Sequence, residues 1–173
     1  MAENVDTLKK GFDAFNSGDM DTVKELFAED VTWQGPNTEA VPGGGTTEGL
    51  EDVLKMFGEI QDDWENFQAT PDEFIDAGDT VIVLGHISGK SQASGNELKT
   101  PFVHVWRMED GKAKRVQALL DTHEVLQAME NGGGNGGGEK KDDDGDSDNG
   151  GSDDKGGSDD GGSDDDKNGD DDS

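Results

Sequence analysis

The 173-residue sequence contains no cysteine and no tyrosine, and it has only 14 Lys and Arg against 42 Asp and Glu. Without cysteine the chain cannot form a disulfide, a thiolate zinc site or a thiol nucleophile. The formal net charge of −28 makes nucleic acid and anionic membranes poor partners, because both are negatively charged. No apolar run approaches the roughly 18 residues that a membrane span needs. Residues 1–6 are acidic and lack an apolar segment, so no signal peptide is expected. These absences predict a soluble, cytoplasmic protein.

The composition of the chain changes abruptly at residue 130. Residues 131–173 carry 16 acidic and 4 basic side chains and no apolar one. Such a segment cannot offset an ordering cost of roughly 1–2 kcal/mol per residue, so a disordered acidic tail is predicted. All three Trp and all seven Phe lie in residues 1–130, which are long enough to bury one core. The prediction is therefore one domain, residues 1–130, followed by one tail, residues 131–173.

Part of the tail, residues 144–150, places oxygen-bearing side chains at alternate positions, like the start of a calcium-binding loop. The glycine comes one position late, however, and Lys155 occupies the twelfth position, where an EF-hand needs a bidentate Glu. The sequence therefore predicts only loose cation association by the tail.

Hydrophobic periodicity predicts three helices in the first half of the domain. Apolar residues spaced three and four apart indicate a helix over residues 5–15, and a short second helix carries Val23, Leu26 and Phe27 on its buried side. A third helix is predicted to start at Thr46 or Thr47, after a loop over residues 35–45 that is rich in Gly and Pro.

Strands are predicted to follow. The apolar runs that indicate them cover residues 31–33, 67–75, 80–88, 102–108 and 113–122. Pro71 favours an edge or bent strand, and Asp110-Gly111 between the last two runs is a strong hairpin signal. The element order predicts an α+β domain with helices on one face of a curved sheet.

Several short motifs occur in a characteristic order. They are residues 14–19 (AFNSGD), 27–33 (FAEDVTW), 76–81 (DAGDTV), 102–107 (FVHVWR), 110–112 (DGK) and 120–122 (LDT). This pattern resembles the SnoaL-like branch of the nuclear transport factor 2-like superfamily, which includes ketosteroid isomerases and polyketide cyclases. The resemblance implies a cone-shaped mixed or antiparallel sheet wrapped around the N-terminal helices, a pocket inside the cone, and a homodimer. The family contains isomerases, cyclases, epoxide hydrolases and non-enzymatic binders, so fold alone does not settle function.

The residues that carry out the family's known reactions are incomplete in this chain. Ketosteroid isomerases use a Tyr hydroxyl beside a protonated Asp, and this chain has no Tyr. The polyketide cyclases' His-Trp-Asp run is replaced by Val116, Gln117 and Ala118. The Asp–Arg–Asp group of limonene epoxide hydrolases would need Arg107, which is predicted on the wrong face of its strand. None of these activities transfers intact.

The final hairpin is predicted to bring polar groups together on one face. A two-residue turn at Asp110-Gly111 would pair His104 with Gln117 and Phe102 with Leu119, and Asp121 would share their face. Apolar walls with a few convergent polar groups are typical of a ligand pocket. The opposite face would be apolar and would suit packing or a dimer contact. A one-residue bulge would exchange the two faces of the second strand.

Asp121 is the first catalytic candidate, because a carboxylate desolvated on an apolar wall can act as an acid or base near neutral pH. The alternative is that Asp121 caps the C-terminal segment. His104 is the second candidate, as a proton shuttle or a polarising group, or else it is a structural histidine. Gln117 would orient the substrate. The predicted substrate-binding walls, which could also be simple core, are Trp33, Trp106, Phe15, Phe57, Phe102 and Leu119.

No cofactor is predicted, and no metal site, because the three His show no metal-ligand spacing. Two functions remain open. The first is a pocket for a small, mostly apolar molecule, with acid/base catalysis by Asp121. The second is a non-catalytic binding or dimeric scaffold domain of the same fold.

Overall fold

The computed structural model describes residues 2–130, so the predictions for residues 131–173 lie outside the described part of the chain. The elements in chain order are α1 (Ala2–Ser17), α2 (Met20–Leu26), β1 (Phe27–Gln34), β2 (Thr46–Glu48), α3 (Leu50–Asp63), β3 (Trp64–Ala77), β4 (Thr80–Ser91), β5 (Glu97–Glu109), β6 (Lys112–Leu120) and α4 (Thr122–Met129).

The strands form one six-stranded curved sheet in the order β2-β1-β6-β5-β4-β3. β1 and β6 run parallel, and every other neighbouring pair is antiparallel. Helix α1 packs on β3, and α3 packs on β1 and β3. The predicted α+β class and the mixed curved sheet are therefore confirmed. Within residues 2–130, no helix is long and apolar enough to cross a membrane.

The core lies between the helices and the concave face of the sheet. β4 and β5 show the alternation expected of half-buried strands, because successive side chains point to opposite faces. In β5 the inward positions include Phe102, His104 and Trp106, all of which are buried. The concave face is thus where the aromatic side chains of this domain gather.

The Asn16 side chain, at the C-terminal end of α1, forms hydrogen bonds with the backbone of β3. The Asn16 amide donates to the carbonyl oxygen of Ala69 and accepts from its N–H, each at 2.8 Å. The Gln68 side chain also donates to the Asn16 carbonyl oxygen. The two bonds to Ala69 satisfy a backbone N–H and a carbonyl oxygen of β3, and the bond from Gln68 satisfies the backbone carbonyl oxygen of Asn16 on α1.

Two predicted element boundaries are wrong. Phe27 begins β1 rather than ending the second helix, and residues 46–48 form strand β2, so the third helix begins at Leu50. Thr46 to Glu48 pair with β1, which gives backbone partners to a strand that would otherwise be an edge. Tertiary pairing thus overrides the local helix-start signal.

The predicted hairpin turn and edge strand are confirmed. Asp110 and Gly111 have φ of 51° and 76°, the two positive values that a two-residue type I′ turn requires. Pro71 lies in β3, which is an edge strand, and the register with β4 shifts beside it. A proline lacks the N–H that a central strand would need.

Candidate functional site

Two small chambers lie inside the concave face, one on each side of His104. Four residues line both of them: Trp33, Phe57, Ala69 and His104. Strand alternation on β1 and β5 turns the Trp33 and His104 side chains inward, and α3 supplies Phe57 from the opposite side. The two chambers therefore adjoin at these four residues, which form a mostly aromatic junction with one imidazole.

The inner chamber has a volume of about 60 Å³ and lies against α1 and α2. Its remaining lining residues are Gly11, Phe12, Phe15, Val23, Leu26, Phe27 and Trp106. None of them carries a charge, so the chamber is apolar apart from ring nitrogens.

The outer chamber has a volume of about 80 Å³ and lies beneath the loop over residues 35–45. Its remaining lining residues are Pro36, Pro42, Gly43, Ile60, Trp64, Phe67, Ile87, Leu98, Phe102, Ala118, Leu120 and Val125. The loop is held by paired backbone bonds between Gly35 and Gly45 and between Gly45 and Pro36, each 2.8 Å long. This segment covers the outer chamber, as a rim over a ligand site would.

His104 lies in a cluster of aromatic rings. Its imidazole is 4.3 Å from the Phe102 ring, 5.4 Å from Trp33 and 5.9 Å from Trp106, measured between ring centroids. Burial lowers the pKa of His104 to about 3, because the surroundings do not solvate an imidazolium. His104 is therefore neutral at physiological pH, with one nitrogen that donates and one that accepts.

Several buried polar atoms around the chambers have no hydrogen-bond partner among the described residues. They are Nε1 of Trp33, Trp64 and Trp106, and Nδ1 of His104. A buried donor or acceptor left unpaired costs about 1–3 kcal/mol. Native proteins contain few such groups, so a cluster of four at two adjoining chambers needs an explanation.

The predicted register of the final hairpin is wrong beyond its first pairs. Glu109 pairs with Lys112 as a two-residue turn requires, but His104 pairs with Ala118 and Phe102 pairs with Leu120. A β-bulge at Lys114 adds one residue to β6, opposite the step from Arg107 to Met108 on β5.

This shift turns two predicted site residues to the convex face of the sheet. Gln117 pairs with Val105, and its side chain lies near the Gln34 amide, 3.5 Å away. Leu119 pairs with Val103 and is 59% exposed. Neither of them lines a chamber, and Ala118 and Leu120 occupy the wall positions instead.

Asp121 does not lie on the chamber wall, where the first interpretation placed it. Its position is the one that the capping alternative predicts. Its exposed carboxylate accepts hydrogen bonds from the N–H groups of His123 and Glu124, at 3.0 and 3.2 Å, and it is the N-cap of α4. Strand β6 ends at Leu120, so Asp121 has already left the sheet. Asp121 does not line either chamber.

The structure brings together the other six predicted site residues. Trp33, Phe57 and His104 line both chambers, Phe15 and Trp106 the inner one, and Phe102 the outer one. Sequence reasoning missed Ala69, where the chambers meet, and Val125 on α4. Ala69 is small and lies in a strand interrupted by register shifts, so no periodic pattern marks it.

Comparison with known proteins agrees with this fold. A family model described as a SnoaL-like domain matches residues 8–116. The chain belongs to the SnoaL-like domain family. No protein with a curated description matches it.

Several solved structures of similar proteins match this SnoaL-like domain over almost their whole length. A nuclear transport factor 2-like protein of unknown function from Burkholderia pseudomallei is 31% identical, with a TM-score of 0.69 over 75% of this chain and 98% of that one. A nuclear transport factor 2-like protein from Burkholderia thailandensis is 26% identical, with a TM-score of 0.68 over 75% of this chain and 99% of that one. TerC, co-crystallised with polyporic acid, is 29% identical, with a TM-score of 0.65 over 72% and 98%.

Proposed function

We propose that this SnoaL-like domain binds a small, mostly apolar molecule in the two chambers beside His104. The observation that carries the proposal is the set of unpaired buried nitrogens on Trp33, Trp64, Trp106 and His104, which lie in the otherwise apolar walls of the two chambers. A ligand with a polar atom would satisfy groups that the described residues leave without a partner. The co-crystallisation of the similar protein TerC with polyporic acid supports a small-molecule role.

The volumes of the chambers limit the size of the ligand. They measure about 60 and 80 Å³ and share four lining residues. A dry cavity of about 150 Å³ is known to take up benzene, whereas pockets for drug-sized ligands range from about 300 to 1,000 Å³. The volumes therefore favour a ligand about the size of one ring.

The same geometry favours binding over acid/base catalysis. A general acid or base works best with a pKa near the operating pH. Burial lowers the pKa of His104 to about 3, and Asp121 is exposed at the start of α4. No carboxylate, Lys or Arg lines either chamber. His104 is accordingly proposed as a neutral hydrogen-bonding group.

Filling the junction of the chambers tests the binding site. Ala69 is buried and lines both chambers, so the larger side chain of Ala69→Leu should intrude on both. Ala128→Val is the matched control, because Ala128 is equally buried and lines neither chamber. Molecules retained by the purified protein would be identified by mass spectrometry, and binding of toluene would be measured by NMR.

We expect the parent and Ala128→Val to bind the retained molecule or toluene, and Ala69→Leu to lose that binding at least tenfold. Thermal unfolding of each variant would confirm that it remains folded. The proposal fails if the folded parent binds neither, or if Ala69→Leu binds as the parent does.

A second copy of the chain is proposed to cover the convex face of the sheet. Cross-strand rows on this face bring together the apolar residues Ile75, Ile82, Leu84, Val103, Val105 and Leu119. Leu119 and Ile75 are the two exposed large hydrophobic residues within residues 2–130. A contiguous exposed apolar patch with a polar rim is typical of an interaction surface.

This face carries a local pair of positive charges on a chain that is otherwise strongly acidic. Both arginines of the chain, Arg107 and Arg115, pair directly across β5 and β6 there. Like charges placed opposite each other are unfavourable, and carboxylates from a second acidic chain would offset them. This makes the face a suitable contact for another copy of an acidic protein.

Light scattering after gel filtration tests the dimer. The parent should elute as a dimer, and Leu119→Lys should shift it to monomer by burying a charge in the contact. Gln127→Lys, on the exposed side of α4, adds the same charge elsewhere and should remain dimeric. A monomeric parent, or a dimeric Leu119→Lys, would refute this assembly.

A further inference from the structure

We infer that the ligand is a neutral, single-ring aromatic molecule whose oxygen atom accepts hydrogen bonds from the indole N–H groups around the chambers. This inference rests on the binding function proposed above and specifies its ligand class.

The polar groups of the chamber walls are mostly donors. The chain contains three tryptophans, and in all three the indole nitrogen is buried without a partner among residues 2–130. An indole nitrogen can only donate, and a neutral imidazole offers one donor and one acceptor. A complementary ligand must therefore bring an acceptor, such as a carbonyl or phenolic oxygen.

The three tryptophans that carry the donors all line the chambers rather than being spread through the core. Trp33 lies 5.4 Å from His104 and 6.0 Å from Trp106, between ring centroids, and it stands edge-on to both. Trp33 and Trp64 line the outer chamber together, and Trp33 and Trp106 line the inner one. A ligand that spans the two chambers would therefore contact tryptophans in both of them.

The indole nitrogen of Trp33 faces the loop that covers the outer chamber. A Cβ built at Gly43 would lie 3.9 Å from this nitrogen, and 3.7 Å from the Met56 sulfur. The Gly43 backbone therefore lies close to the Trp33 N–H without pairing with it. This places one donor on the side of the chamber that the loop covers.

The charges around the chambers select a neutral ligand. No Lys or Arg lines them to pair with an anion, and no Asp or Glu lines them to pair with a cation. Burial of an unpaired charge in an apolar cavity is strongly unfavourable. The walls include many aromatic rings, which pack well edge-on or offset against another aromatic ring.

Three probes of similar size separate these requirements. Acetophenone carries a neutral oxygen acceptor, toluene has no polar atom, and benzoate carries a negative charge. Calorimetric titration of the full chain should show acetophenone binding at least tenfold more tightly than toluene, with benzoate at least tenfold weaker than acetophenone.

The indole donors can be tested directly in the same protein. Replacing all three tryptophans biosynthetically with 3-benzothienylalanine removes the N–H groups and keeps the ring shape. This replacement should bring the affinities for acetophenone and toluene to within about threefold of each other. If the replaced protein does not fold, the indole N–H resonances of the parent give the answer, because acetophenone should move at least one of them downfield and toluene should not.

The outcomes distinguish this inference from the binding function. Toluene binding as tightly as acetophenone, or unmoved indole resonances at saturating acetophenone, would overturn the ligand class and leave the binding site standing. Benzoate as the tightest probe would also overturn the ligand class. Binding of none of the three probes would overturn it as well, and a retained molecule displaced by Ala69→Leu would still support the site.

Discussion

The indole ring of Trp33 stands edge-on to the imidazole of His104, with ring centroids 5.4 Å apart and ring planes at 83°. The two side chains come from β1 and β5, which are separated in the sheet by β6. Their contact therefore depends on the inward curvature of the sheet rather than on strand pairing. It places a titratable ring where water and charge are both excluded, and this has a measurable consequence for stability.

Burial of His104 should make the folded state lose stability in mild acid. Its pKa is lowered to about 3 by burial, from an ordinary value of 6.5. Below pH 6.5 the unfolded chain takes up a proton that the folded chain does not, so this contribution is complete above pH 6.5 and is lost as the pH falls towards 3. The expected slope is about 1.4 kcal/mol per pH unit.

Urea unfolding of the parent and of His104→Phe at pH 7.5 and 5.0 would measure this effect. Other carboxylates titrate in both proteins, so their contribution cancels in the difference. Between pH 7.5 and pH 5.0 the free energy of unfolding of the parent should fall by about 2 kcal/mol more than that of the variant. If the free energies of unfolding of the two proteins changed equally between these pH values, His104 would be protonated in the folded protein at pH 5.0.

Thr100 provides a prediction of increased stability. Its side chain is buried on β5, and its hydroxyl has no hydrogen-bond partner among the described residues. Thr100→Val keeps the shape and removes the unpaired polar atom, so the free energy of unfolding should rise by about 1 kcal/mol. Thr80→Val is the control, because the Thr80 hydroxyl accepts from Arg107 at 3.2 Å near solvent, and no gain is expected there. Equal effects in thermal unfolding would contradict this account.

The role of Asp121 can be separated into capping and catalysis. Asp121→Ala removes the acceptor for two N–H groups at the start of α4, so stability should fall by about 1 kcal/mol. Asp121→Asn keeps an amide oxygen that can cap the helix, so it should remain close to the parent. Neither change should alter the affinity for acetophenone. A loss of affinity in folded Asp121→Asn would return this residue to the site.

The parts of the fold that depend on short stretches of sequence could be predicted. The turn at Asp110-Gly111 follows from the need for two positive φ values, and the shared face of Phe102, His104 and Trp106 on β5 follows from the alternation of side chains along any strand. The inward placement of His104 and Trp106 followed from the same alternation.

The bulge in β6 could not be predicted in the same way. It lies beside a shift in the parallel pairing of β6 with β1, where Lys114 also contacts Asp30. That pairing joins residues more than 80 positions apart, and no local pattern encodes it. A one-residue shift moves every later side chain to the other face, so the predictions for Gln117 and Leu119 failed together.

The fastening of α1 to the sheet by Asn16 gives a last prediction. Its side chain makes two 2.8 Å hydrogen bonds with the backbone of Ala69, a residue that lines both chambers. Asn16→Ala leaves the Ala69 N–H and carbonyl oxygen unpaired at a partly buried place, so stability should fall by about 2–3 kcal/mol. Asn4→Ala is the matched control: Asn4 makes one 3.1 Å bond, to the Gly78 carbonyl oxygen just after β3, and its loss should cost about 1 kcal/mol.

Because Asn16 holds the strand segment that carries Ala69, Asn16→Ala should also weaken acetophenone binding, whereas Asn4→Ala should not. Urea unfolding and calorimetric titration of both variants would measure these effects, and equal losses of stability in the two would show that the Asn16–Ala69 bonds have no special role.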